Sequence, residues 1–168
     1  MRIFFALWPD GETVRQFQDV ASSLAIEGRG RLVSSHNLHL TLAFAGEVAD
    51  QHLASLQRIA GSLRAPRFVV VCDQLEYWSQ PRAVVAAARN PPAELFDLSA
   101  RLYQAIGLRQ ERLQAHVTLA RKVAQAPVLL AMSPIVWRAT QFSLIRSQTG
   151  GAESSYTVVD TWPLLYKP

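Results

Sequence analysis

Two short stretches carry the residue types that acid–base chemistry needs: His39-Leu40-Thr41-Leu42-Ala43-Phe44 and His116-Val117-Thr118-Leu119-Ala120-Arg121. The chain holds four histidines, and two of them open the same tetrad. Along an extended strand, residues i and i+2 project from one face and i+1 and i+3 from the other. Leu40 and Leu42 can therefore anchor one strand in a core while His39 and Thr41 point together into a cleft. Val117 and Leu119 do the same for His116 and Thr118. Two such strands, set side by side by a pseudo-symmetric fold, would line one pocket with two imidazoles and two hydroxyls.

That inventory suits in-line displacement at phosphorus. One group must take a proton from the attacking water while another gives a proton to the departing oxygen. Imidazole, with an ordinary pKa of about 6.5, performs either role near neutral pH, so a bell-shaped pH–rate profile is expected. The threonines can donate to the non-bridging oxygens, where negative charge must be held. A single histidine on a strand is more often a packed or surface residue, but a duplicated pair on matching strands reverses that expectation. Zinc is the weaker competitor: two ligands are too few, and no Asp or Glu lies beside either motif. The reading from these residues therefore carries no metal.

Other polar and aromatic residues are weighed in the same way. His36 in a turn and His52 on the polar face of a helix are expected on the surface. Arg121 stands an odd number of residues from His116, so simple alternation turns it away from the cleft. A twist, a bulge or the strand end can bring its guanidinium back to a phosphate. Arg146 is expected as a solvated charge. Phe44, Trp78, Tyr156 and Trp162 are read mainly as core, with none assigned to base stacking.

The elements that must position these groups follow from periodicity and breakers. Residues 3–8 read as a strand, and Asp10 caps a helix bearing Val14, Phe17, Val20, Ala21 and Leu24, broken by Gly28 and Gly30. Residues 37–44 form the first motif strand. Asp50 starts a second helix carrying Leu53, Leu56, Ile59 and Leu63. Strands are expected over 68–78 and 82–88, joined around Ser79-Gln80-Pro81. Pro91 and Pro92 open a third helix with Leu95, Leu98, Leu102 and Ile106, closed by Gly107. The second motif strand spans 115–121, residues 123–133 are ambiguous, and strands over 135–146 and 156–164 flank a Gly150-Gly151 loop. Interleaved strands and helices with tight hairpins argue for an α+β architecture rather than a wholly parallel sheet.

The bulk properties agree with one domain over residues 1–168. Hydrophobic residues make up 49% and charged residues 18% of 168 positions, a globular balance without a Gly-, Ser- or Pro-rich linker. A net charge of +4 would attract a polyanion without proving that one binds. The lone cysteine, Cys72, excludes an internal disulfide framework and reads as a buried strand thiol. The apolar N-terminal run stops at Pro9 with no small-residue cleavage site, and no run approaches a membrane span. A cytoplasmic monomer without a membrane partner is the expectation.

With both tetrads in place, the chain resembles the 2H phosphoesterase superfamily, and within it the RNA 2′,3′-cyclic phosphodiesterases historically called 2′-5′ RNA ligases. Residues 2–9 are similar to the family's opening strand, residues 37–44 and 116–121 to its two signatures. Ser147, Tyr156 and Trp162-Pro163-Leu164 are similar to its closing hairpin. Ala115 replaces a common proline before the second signature and Ala45 a common leucine after the first, and neither removes a chemical group. The resemblance implies a two-lobed α+β fold with mainly antiparallel sheets around a central cleft, and no metal or organic cofactor. It implies hydrolysis of an RNA terminal 2′,3′-cyclic phosphate to a 2′-phosphomonoester, with weak reverse 2′-5′ ligation as an accompaniment. His39 would donate to the leaving 3′-oxygen, His116 would activate water, and Thr41, Thr118 and Arg121 would hold the phosphate. Two other readings stay open: a 2H enzyme for a small cyclic or 2′,5′-linked nucleotide, and a non-catalytic RNA-end binder.

Overall fold

The computed structural model describes residues 1–26, 29–148 and 155–166; Gly28 and the Gly150-Gly151 loop lie outside them. The strands run β1 (Arg2–Leu7), β2 (Arg31–Leu32), β3 (Leu40–Glu47), β4 (Phe68–Cys72), β5 (Gln74–Trp78), β6 (Ala83–Ala87), β7 (His116–Arg121), β8 (Ile135–Ala139), β9 (Gln141–Gln148) and β10 (Ser155–Pro163). The helices are α1 (Gly11–Ser22), α2 (Leu53–Ser62) and α3 (Ala93–Ala105). Two four-stranded sheets, ordered β10-β9-β1-β3 and β2-β7-β6-β5, are joined by a two-stranded pair, β4-β8. Every pairing between these strands is antiparallel, as the α+β reading requires. The first motif lies in one sheet and the second in the other, and β3 comes close to β7 where the sheets meet.

Local chemistry explains most boundaries. Asp10 caps α1 by accepting the Thr13 N–H at 2.8 Å, and Phe17, Ala21 and Leu24 of the expected face are buried. Phe17 meets Trp137 of β8 edge-on, ring centroids 6.4 Å apart, which ties α1 to the two-stranded pair. Pro92 precedes α3, and Gly107 follows it at φ +70°, a conformation open to glycine at no steric cost. Leu95, Leu98 and Leu102 of α3 are fully buried, as the 3.6-residue period anticipates.

Four expectations need correction. The run 68–78 is two strands, because at Asp73 the chain leaves the β4-β8 pair for the second sheet. The Asp73 N–H donates to the Ala87 carbonyl (3.0 Å) and its Oδ1 accepts the Arg89 N–H (3.0 Å). The run 135–146 divides likewise at Thr140 into β8 and β9, which belong to different sheets. Asp50–His52 is a 3-10 turn, with α2 beginning only at Leu53, so His52 precedes the helix and lies exposed. Gly30 serves close packing rather than helix breaking: α1 has already ended, and a Cβ at Gly30 would meet Val123 Cγ2 at 2.9 Å.

Candidate active site

Alternation along the motif strands sorts the side chains as expected. Leu38, Leu40 and Leu42 are buried together, as are Val117 and Leu119, while His39, Thr41, His116 and Thr118 are half-buried at the cleft face. His39 stands one residue before β3, after a 3-10 turn over Ser35–Asn37, so the first motif strand begins later than its sequence pattern suggests. His36 lies exposed in that turn.

Both strands then break alternation at the same motif position. Phe5 and Ala6 of β1 face Ala43 and Thr41, which leaves Leu42 with no residue opposite. Val84 and Val85 of β6 face Ala120 and Thr118, which leaves Leu119 with none. One extra residue is a β-bulge, and it reverses which face each later side chain takes. The sixth motif residue, Phe44 in one strand and Arg121 in the other, is thereby returned to the histidine face. This is why Arg121 reaches the cleft despite its odd spacing.

The bulge in β3 is held from outside. Since β3 is an edge strand, its outward backbone groups need partners, and α3 supplies them. Ser99 Oγ donates to the Leu42 carbonyl at 2.7 Å, and the Phe44 N–H donates to the Tyr103 hydroxyl at 3.2 Å. Ser99 and Tyr103 are four residues apart, on one face of the helix.

The result is one cleft of ≈ 540 Å³ between the sheets. His39, Thr41, His116, Thr118 and Arg121 all line it, and so do Arg2, Phe44, Trp78, Glu111 and Tyr156. The two imidazoles are held in the same way. His39 Nδ1 lies 2.6 Å from the Asn37 carbonyl oxygen, and His116 Nδ1 lies 2.6 Å from that of Gln114. A carbonyl only accepts, so each Nδ1 carries the hydrogen and donates it, leaving Nε2 free for proton transfer. Among the described residues no three His, Cys, Asp or Glu side chains gather to form a metal-ligand set.

A family model described as LigT like phosphoesterase matches residues 7–85. The RNA 2′,3′-cyclic phosphodiesterase of Escherichia coli (strain K12) is 31% identical over 97% of this chain and 96% of its own. The chain belongs to the LigT-like phosphoesterase family. Two solved structures agree. A phosphoesterase crystal structure superposes with a TM-score of 0.90 at 29% identity, covering 98% of each chain. E. coli LigT complexed with 3′-AMP does so at 0.89 and 29%, covering 97% of each.

In this LigT-like cleft the histidines have unequal surroundings. His39 sits among Trp8, stacked on it with ring planes 8° apart, Phe4 at 5.1 Å and Tyr156 at 5.1 Å between centroids. Burial in that apolar setting pulls its pKa from 6.5 down to about 4, helped by the charges of Arg121 and His116 and opposed by the hydrogen bond to Asn37. Burial also lowers His116, and the Gln114 carbonyl and the Glu76 carboxylate oppose it. Cys72 is buried on the core side of β4, its thiol pushed up to about 12, as an inert packing residue should be.

The aromatics depart from the core reading. Phe44, Trp78 and Tyr156 line the cleft, and of the four only Trp162 packs against the core, half-buried beside Phe5 and Phe142. Arg146 is half-buried beside Ile3 rather than solvated, and it does not line the cleft. Phe4, Trp8 and Arg2 were not marked by the sequence pattern. In β1 both faces are buried, one on the main core and one under His39, so the unbroken apolar run gives no alternation to read.

Proposed function

We propose that this chain hydrolyses the terminal 2′,3′-cyclic phosphate of RNA to a 2′-phosphomonoester by paired-histidine acid–base catalysis. The supporting observation is that both motif histidines face one cleft, each with Nδ1 tied to a backbone carbonyl two residues earlier. In this reading His116 Nε2 takes a proton from water as the water oxygen bonds to phosphorus. The P–O3′ bond breaks opposite it, and His39 Nε2 gives its proton to the 3′-oxygen. Thr41, Thr118 and Arg121 hold the non-bridging oxygens, so charge on the five-coordinate phosphoryl group meets donors already in place. The incoming anion favours the protonated form of His39, which takes its proton from solvent, by offsetting the burial and the Arg121 charge that keep it neutral in the empty cleft.

The E. coli relative named for RNA 2′,3′-cyclic phosphodiesterase activity supports the substrate class. The proton transfers involve only side chains of the chain, so the reaction proceeds in chelator. No helix of the described residues is long and apolar enough to cross a membrane, and the proposed setting is a monomer acting on RNA ends in the cytoplasm. The test is incubation of RNA ending in a 2′,3′-cyclic phosphate with the protein in excess EDTA, followed by identification of the terminal phosphate. A 2′-phosphate is expected. Undiminished cyclic phosphate overturns the activity, a 3′-phosphate overturns the leaving group, and loss of turnover on chelation overturns the metal-free mechanism.

A further inference from the structure

The two motifs are near copies, yet the side chains behind them are not. On the cleft face of the second sheet, β5 presents Glu76 and Trp78 beside the small residues Ala83, Val85 and Ala87 of β6. Because those residues are short, the Trp78 indole can lie across them and meet the His116 ring, centroids 4.4 Å apart. Its Nε1–H donates to Glu76 Oε2 at 2.7 Å. Glu76 is half-buried, lies outside the cleft lining, and has no Lys or Arg within ion-pair distance among the described residues. Its carboxylate is thus linked to His116 through Trp78, from outside the cleft lining. The counterpart ring on the other lobe is Trp8, which stacks on His39 in company with Phe4 and Tyr156, and among the described residues no carboxylate is hydrogen-bonded to it.

We propose that Glu76, held by Trp78, is a positioning residue that makes His116 the proton acceptor and leaves His39, which has no such partner, the proton donor. This rests on the paired-histidine reading above and assigns its two roles from the molecule's own asymmetry. Proton arrival turns His116 into a cation, which a nearby carboxylate stabilises as it forms. Proton departure discharges His39, whose enclosure by Phe4, Trp8 and Tyr156 makes the cation costly to keep. Burial and the charges of Arg121 and His116 together draw His39 down to about 4. The other charged or titratable groups about His116 in the cleft are Arg121 on its own strand, His39 and Arg2 from the other sheet, and Glu111 from the segment before β7. Arg121 depresses both histidines, whereas Glu76 raises His116.

Glu76→Gln keeps an acceptor for the indole and removes the charge. In the ligand-free protein, the His116 imidazole followed by NMR should titrate at lower pH in this variant, with His39, coupled to it only through the His116 charge, moving less. With 2′,3′-cyclic AMP, kcat should fall about three- to tenfold at unchanged KM, within the share a positioned proton acceptor contributes, and Glu76→Asp should recover part of the loss. A substrate with sulfur in place of the 3′-oxygen separates the roles, since a thiolate leaves without being protonated. There His39→Ala should regain most of its activity and Glu76→Gln should keep its deficit. An unmoved His116 titration, or a Glu76→Gln deficit that vanishes with the sulfur substrate, overturns the assignment. Failure of the wild type to turn over any cyclic phosphate removes the proposed reaction instead, and the NMR titration still decides whether Glu76 acts on His116.

Discussion

Acidification provides a direct measure of how strongly the fold holds His39 neutral. Its ordinary pKa of 6.5 falls to about 4 in the folded chain, chiefly through burial. The unfolded chain therefore binds the proton more readily between those two values. Stability then rises with pH across that window and is lost as pH falls from about 6.5 towards about 4. At about 1.36 kcal/mol per unit, a separation of about 2.5 units sets a ceiling of about 3 kcal/mol, which residual solvent contact reduces towards about 1–2 kcal/mol. The assay is urea unfolding of the wild type and His39→Gln at several pH values between about 7.5 and 4. Carboxylate titrations common to both proteins cancel in the difference. The wild-type advantage over His39→Gln should shrink by the stated amount as pH falls. A difference that stays flat would refute the claim that the Phe4, Trp8 and Tyr156 enclosure keeps His39 uncharged.

Two further outcomes test the motif strands themselves. His39→Ala and His116→Ala should each lower kcat for a cyclic-phosphate-ended RNA by about 10²–10⁴-fold, while His52→Ala, exposed and outside the cleft, should leave it unchanged; near-normal turnover by either motif variant would end the paired mechanism. Ser99→Ala strips the buried Leu42 carbonyl of its 2.7 Å hydrogen bond and should cost about 1–3 kcal/mol in urea unfolding, with weakened turnover in the folded fraction because the β3 bulge loses its brace. A loss below a few tenths of a kcal/mol would show that the bulge does not need α3.

Much of this architecture could be read from the chain before any coordinates. The caps, the leucine periods of the helices and the alternating motif strands are local signals, each settled by neighbours three or four residues away. They place Asp10 at a helix start, Gly107 after a helix end, and His39 with Thr41 opposite Leu40 and Leu42. The strand breaks at Asp73 and Thr140 were not legible, because an apolar run looks the same whether it stays in one sheet or passes to another. What ends it is a partner distant in sequence, such as Ala87 for Asp73.

The site divides along the same line. Sequence alone paired His39 with His116 and each with its threonine, because side-chain alternation in a strand is a property of the backbone itself. The direction of Arg121 and Phe44 was a tertiary matter: bulges opposite β1 and β6 reverse the alternation, and those neighbouring strands come from elsewhere in the chain. So was the inequality of the histidines. Near-identical tetrads cannot distinguish themselves. Only folding brings Trp8 and Tyr156 to one imidazole and Glu76 with Trp78 to the other, and burial and charge then act on them differently.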